Sequence, residues 1–251
     1  MRIHCLQHLE FETLGNINQW VCGRGHTLSR SLPYASTLFP QLDDLDLLII
    51  MGGLMSVYEE DSYPWLKLEK KFVKKCLNEG KAVLGICFGA QMLAEILGSR
   101  VSRNEYKEIG WHKVKTIDGN GKFALSSGFP EEFTALQWHG DTFALPENTV
   151  RLFESEACRE QGFIFRDNVL AVQFHPEVDE RCIQDLVENC RSDLVYGRYI
   201  QNENDIVDRP DFIEGSASLM FYILDWFESI HLNKTDLWNP GKNFQEEDNG
   251  R

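Results

Sequence analysis

Apolar and polar positions along this chain follow two alternating patterns. Short, nearly continuous apolar runs are separated by stretches in which apolar residues recur every three or four positions, as expected of buried strands joined by helices. Arg2 to Gln7 reads as the first strand. Leu45 to Met51 is almost entirely apolar, as a strand covered on both faces must be, and it ends at Gly52-Gly53, where the backbone can turn sharply. Pro64 to Glu79 carries an amphipathic helical pattern, with Pro64 in its first turn and Gly80 placed to end it. Ala82 to Ile86 is a second buried run leading into Cys87, after which the spacing from Gly89 to Leu97 is helical and stops at Gly98.

The pattern then changes. Ile109 to Ile117, Thr134 to Trp138, Val150 to Glu154, Gly162 to Arg166 and Val169 to Phe174 are short strand-like runs with turn residues between them, which predicts antiparallel strands completing or flanking a parallel sheet. Glu180 to Cys190 and Ser216 to Ile230 are predicted helices, and the aromatic stripe of the second (Phe221, Tyr222, Trp226, Phe227) reads as packing. No internal repeat or linker interrupts the chain. Residues 1–232 are expected to form one domain, and the polar residues 233–251 a C-terminal tail.

Composition narrows the partners. Of 251 residues, 43% are apolar and 25% charged, enough for a substantial core. The formal net charge is 25 − 39 = −14, which repels nucleic-acid backbones and anionic membranes, so neither is expected as a partner. The one basic cluster, Lys67 to Lys75, has helical spacing and reads as a solvated helix face. The 7 cysteines include no CxxC pair, which favours neither a disulfide framework nor a zinc site. The N-terminal residues lack the apolar segment of a signal peptide, and no apolar run approaches the roughly 20 residues that span a bilayer; a cytoplasmic protein with reduced thiols is expected. No metal-ligand spacing, phosphate loop or dinucleotide fingerprint is present, so no metal or cofactor is expected.

The chemistry centres on Gly85-Ile86-Cys87-Phe88-Gly89, a Gly-x-Cys-x-Gly turn between a strand and a helix. Glycines at i−2 and i+2 relieve clashes across a strained turn, and the turn sets the thiol at a helix N-terminus, where thiolate is favoured. The Phe88 N–H would point the same way, toward a developing oxyanion. The candidate base is His175 in Val-Gln-Phe-His175-Pro-Glu177, at the C-terminal end of a strand, where sites gather in open α/β sheets. Glu177 is positioned to orient its ring. His139 lies in a polar stretch expected to be a loop, where it either caps a strand or lines the site; His4, His8 and His112 are read as structural.

The Gly-Gly after a strand, Gly-Ile-Cys87-Phe-Gly-Ala-Gln91 and Phe-His175-Pro-Glu177, in this order, resemble the class I (triad-type) glutamine amidotransferases. Glu-Ile-Gly-Trp (108–111) and Gln-Trp-His139-Gly140-Asp141-Thr-Phe resemble a free-standing subgroup similar to the glutaminase domain of GMP synthase. The expected fold class is α/β, a three-layer, doubly wound, mostly parallel (flavodoxin-like) sheet with added antiparallel strands. The resemblance implies that Cys87 attacks the side-chain amide of glutamine, with His175 as base and then acid and Glu177 as orienter. It implies an oxyanion hole from the N–H groups of Gly53 and Phe88, and substrate contacts from Gln91, His139, Gly140 and Asp141. Leu54 stands where many relatives carry proline, which leaves open how far the oxyanion loop is preformed.

The implied partners are glutamine or another γ-glutamyl compound and a synthetase subunit that accepts ammonia. Two other functions remain open at this point: a stand-alone γ-glutamyl hydrolase or peptidase, and a catalytically silent binding or regulatory module.

Overall fold

The computed structural model describes residues 1–117 and 125–237. Among the described residues, nine strands form one mixed sheet: β1 (Arg2–Leu6), β2 (Thr27–Ser31), β3 (Leu47–Ile50), β4 (Ala82–Ile86), β5 (Val101–Thr116), β6 (Glu132–Phe143), β7 (Thr149–Ser155), β8 (Gly162–Phe165) and β9 (Val169–Val172). Their order is β2-β1-β3-β4-β9-β8-β7-β5-β6. The first five in this order are mutually parallel, and the pairs from β9 through β6 are antiparallel. The expected α/β class, a parallel core extended by antiparallel strands, is what the chain adopts.

Helices cover both faces. On one lie α1 (Gly15–Arg24) and α6 (Pro210–Leu237), and Leu47 and Ile49 of β3 pack in the core beneath them. On the other lie α2 (Trp65–Asn78) and α3 (Phe88–Ile96), over Leu48 and Ile50 of the same strand. A fully apolar β3 is therefore required, because successive side chains enter opposite cores. A third core forms where Trp111, Leu136 and Trp138 of the β5–β6 hairpin meet Ile183, Leu186 and Val187 of α4 (Glu180–Asn189) and Ile206 of the short α5 (Glu203–Ile206).

Several elements differ from the sequence reading. Strand β5 begins at Val101 rather than Ile109, because residues 101–108 alternate buried and solvated positions without an apolar run. The half-exposed edge strand β2 (Thr-Leu-Ser-Arg-Ser) and the helix α1, with its glycine and two asparagines, carry patterns too weak to predict them. The stretch containing His139 is not a loop but part of β6, held by eleven register pairs to β5 that include Glu108 opposite His139. Helix α6 runs from Pro210 to Leu237, so residues 233–237, expected in the tail, are helical; residues 238–251 lie outside the described residues. The lysines Lys67, Lys71, Lys74 and Lys75 are exposed on α2, as a solvated face should be.

Candidate active site

The parallel strands β1, β3, β4 and β9 lie side by side, so the segments leaving their C-terminal ends converge on one edge of the sheet. Cys87 directly follows β4 and has φ 50° and ψ −105°, a left-handed conformation that a non-glycine residue adopts only under constraint. That constraint is visible. The Cys87 N–H donates to the Val172 carbonyl at 2.8 Å, and its carbonyl accepts from Gln91 N–H at 3.1 Å in the first turn of α3. The flanking glycines are sterically required: a Cβ on Gly85 would lie 2.6 Å from the Gly89 carbonyl oxygen, and one on Gly89 would lie 2.2 Å from that of Ile50.

His175 follows β9, and its N–H donates to the Leu136 carbonyl of β6 at 2.9 Å. Its Nδ1 meets Oε1 of Glu177 at 2.7 Å, and both side chains are buried. The ring also hydrogen-bonds the Cys87 thiol. Burial works against charge on this imidazole, but Glu177 and the Cys87 sulfur outweigh it and hold the His175 pKa well above its ordinary value. The structure thus brings together the three residues that the sequence singles out, in the order thiol, imidazole, carboxylate.

Cys87 opens into a cavity of about 200 Å³ lined also by Gly53, Leu54, Ser56, Gln91, His139, Gly140 and Asp141. Gly53 lies against Phe88: a Cβ built on it would be 3.5 Å from the Phe88 ring. Gln91 is buried and donates to Gln173 Oε1 at 3.1 Å and to the Asp141 carbonyl at 3.3 Å. Asp141 Oδ2 accepts from Ser56 Oγ at 2.7 Å and from Tyr58 at 3.0 Å. His139 faces away into a polar cluster, with Nδ1 2.9 Å from the Asp141 carbonyl and Nε2 3.1 Å from Glu108 Oε2. Its ring therefore supports the wall more than it lines it.

The family model described as "Glutamine amidotransferase class-I" matches residues 16–190. This chain belongs to the class I glutamine amidotransferases. It is 30% identical over 198 residues to the glutamine amidotransferase-like protein YfeJ of Salmonella typhimurium, covering 77% of this chain and 83% of that protein. It is 30% identical over 207 residues to the smaller-chain relative from Thermoplasma acidophilum described as part of a glutamine-hydrolyzing GMP synthase, covering 78% of this chain and 98% of that one. The crystal structure of a glutamine amidotransferase from Thermotoga maritima superposes with a TM-score of 0.78 at 30% identity, over 90% of this chain and 97% of that one.

The amidotransferase scaffold also brings to the site residues that carry no signal in the motifs. Arg103, Lys107 and Asp193 line the cavity beside Asp141, and Lys107 pairs with Asp193 at 2.8 Å. The start of α1 clamps the Glu177 segment: Asn16 N–H donates to the Glu177 carbonyl at 2.8 Å, and Asn16 Nδ2 to that of Val178 at 2.7 Å. Gly15 allows this approach, since a Cβ there would lie 2.1 Å from the Glu177 oxygen. The recurrence of Ile17, Trp20 and Val21 ahead of Gly25 is the available signal for α1. Glu12 lies between β1 and α1, its carboxylate about 3 Å from where a Gly52 Cβ would sit, next to Cε1 of His175. Burial pushes its pKa up to about 7, with Glu177 adding to the rise and His175 and His8 opposing it.

His8, read as structural, is buried against the Gly52-Gly53 turn, whereas His4 is structural in the expected sense and bonds Ser29 and Ser31 of β2. The ligand-type atoms of Glu108, His139 and Cys158 lie within 4.8 Å of one another, a grouping that spacing along the chain does not reveal. Their hydrogen bonds are already engaged: Glu108 with Ser155 and Gln161 as well as His139, and Cys158 with Thr142 and the Glu160 carbonyl. The three read as a packed polar network.

Proposed function

We propose that the chain hydrolyses the side-chain amide of glutamine to glutamate and ammonia through a γ-glutamyl thioester on Cys87. The observation that carries this reading is the buried His175–Glu177 pair at 2.7 Å, with the same imidazole bonded to the Cys87 thiol. His175 takes the thiol proton as sulfur attacks the amide carbon, and Glu177 stabilises the resulting imidazolium. The N–H groups of Gly53 and Phe88 stabilise the oxyanion. His175 then protonates the leaving nitrogen, which departs as ammonia. It next deprotonates a water that attacks the thioester, and the thiol is restored.

The cavity walls carry charges that suit the α-substituents of glutamine. Arg103 and Lys107 attract its carboxylate and Asp141 and Asp193 its ammonium, while Gln91 and Gly140 shape the wall around them. His139 acts through the Asp141 carbonyl that it contacts. The Thermoplasma acidophilum relative is one subunit of a synthase. By extension, the ammonia released here passes to a separate synthetase subunit that activates an acceptor.

The test is a panel of glutamine, glutathione and γ-glutamyl dipeptides, assayed for glutamate release with wild type and Cys87→Ala. Glutamine should have the highest kcat/KM, and Cys87→Ala should abolish turnover while still binding glutamine. A γ-glutamyl peptide that clearly outcompetes glutamine would replace this reading with a γ-glutamyl hydrolase. Activity retained in Cys87→Ala would end both.

A further inference from the structure

His8 belongs to no part of the triad, yet its surroundings are those of a residue built for one contact. Its side chain and that of Glu69 are fully buried. Nε2 of His8 lies 2.8 Å from Glu69 Oε1, and Nδ1 lies 2.7 Å from the Gly52 carbonyl oxygen. A carbonyl can only accept, so Nδ1 carries the proton and donates it. The ring cannot swing away: it stacks on Trp65 with centroids 5.8 Å apart and meets the Phe88 ring edge-on at 4.7 Å. Burial disfavours charge on His8, but Glu69 foremost, then the Gly52 carbonyl and Glu12, raise its pKa above the ordinary value.

Glu69 is the anomaly that gives the contact its meaning. It projects from the inner face of α2, among Leu66, Phe72 and Val73, where an apolar side chain would cost nothing. Its Oε2 has no hydrogen-bond partner among the described residues. A carboxylate buried in such a place is expensive, and His8 is the partner that its other oxygen, Oε1, meets.

We propose that His8, held by Glu69, is a positioning residue that pins the Gly52–Gly53 peptide by its carbonyl and so fixes the Gly53 N–H for the oxyanion. This inference rests on the amide-hydrolysis reading above. The peptide is trans, so the Gly53 N–H points opposite to the carbonyl that His8 holds. Two consecutive glycines have little intrinsic preference for one peptide orientation, and Leu54 puts no restriction on Gly53 of the kind a proline would. A flip would break the 2.7 Å bond and turn a carbonyl, not an N–H, toward the reacting oxygen. The pin therefore does for this loop what its sequence leaves undone.

The experiment replaces the buried polar pair by apolar groups of similar shape, His8→Phe with Glu69→Met, a change that typically preserves or raises stability. With glutamine, or whichever γ-glutamyl substrate wild type turns over fastest, kcat should fall about 100-fold with KM within about threefold, the loss expected for one oxyanion donor. Alkylation of Cys87 by iodoacetamide, which forms no oxyanion, should keep its wild-type rate, read at the Cys87 peptide by mass spectrometry because Cys22 is exposed and also reacts. His8→Asn with Glu69→Met, which restores a donor at the Nδ1 position, should recover at least about tenfold in kcat. If the first pair does not fold, Glu69→Gln serves in its place, with a smaller fall in kcat at constant KM expected. An unchanged kcat in a folded variant overturns the inference while leaving the hydrolytic reading intact, as does an equal loss in alkylation rate. A wild-type enzyme that turns over no γ-glutamyl amide overturns both.

Discussion

Replacing Glu12 by glutamine should uncouple the stability of this protein from pH in a window that the wild type cannot avoid. The Glu12 carboxylate is buried beside His175, Glu177 and His8, and its Oε2 has no hydrogen-bond partner among the described residues. Its pKa rises from an ordinary 4.5 to about 7, chiefly through burial. A folded-state pKa above the unfolded one means that folding favours the protonated form. The stability is therefore whole below pH 4.5 and is lost as pH rises through about 7. A difference of about 2.5 units at ~1.36 kcal/mol each amounts to about 3.4 kcal/mol once the group is ionised in both states. Of this, about 2.5 kcal/mol falls between about pH 5 and about pH 8.5, since the unfolded carboxyl is already largely ionised at the lower limit.

Glutamine cannot ionise, so the stability of Glu12→Gln relative to wild type should grow by about 2.5 kcal/mol across that range. Urea denaturation at a series of pH values measures it directly. At a slope of ~2–3 kcal/mol per molar urea, the midpoint difference should widen by about 1 M. The growth with pH is the diagnostic, because any fixed cost of the amide at this position cancels from it. A midpoint difference that stays constant from acid to alkaline pH would refute the reasoning, since Glu12 would then ionise in the fold as freely as in the unfolded chain.

Two further expectations follow from the same geometry. Glu177→Gln keeps an acceptor for His175 but removes the charge that holds its pKa up; the alkaline limb of the pH profile of kcat/KM should move to lower pH, with kcat reduced about 10- to 100-fold. A limb that does not move would remove Glu177 from this role. Gly89→Ala would press a Cβ to 2.2 Å from the Ile50 carbonyl oxygen, a backbone atom that cannot step aside, and should cost about 3 kcal/mol or more in urea denaturation. Wild-type stability in this variant would mean that β3 and the elbow helix shift apart far more easily than their packing implies.

Much of the site is legible without any knowledge of the fold, and the reason is local. The strand into Cys87, the helix out of it and the glycines on either side form one continuous segment, and steric demands within a turn are written in neighbouring residues. The apolar pattern predicts strand β4 residue for residue as Ala82 to Ile86, and α2 to within one residue at each end, because fully buried strands and amphipathic helices have strong periodicities. The edge strand β2 and the solvated half of β5 escape for the converse reason: half-exposed strands carry little apolar signal. His139 reads as a loop residue because its neighbours are polar, but it pairs with Glu108 across the hairpin, and a buried polar partner supplies what apolar character normally does.

The sequence by itself therefore determined the nucleophile, its base, the orienting carboxylate and the α/β frame, all of which depend on residues close in the chain or on patterns within one element. Tertiary structure alone decided what surrounds them. His8, Glu12, Asn16 and Glu69 are ordinary polar residues in the sequence. They matter because the order β1-β3-β4-β9 sets the end of β1 beside the Gly52-Gly53 turn, and because α1 and α2 pack on opposite faces of the sheet. A buried polar side chain takes its meaning from the partner that satisfies it, and here the partners lie dozens of residues away: Glu69 for His8, Val178 for Asn16.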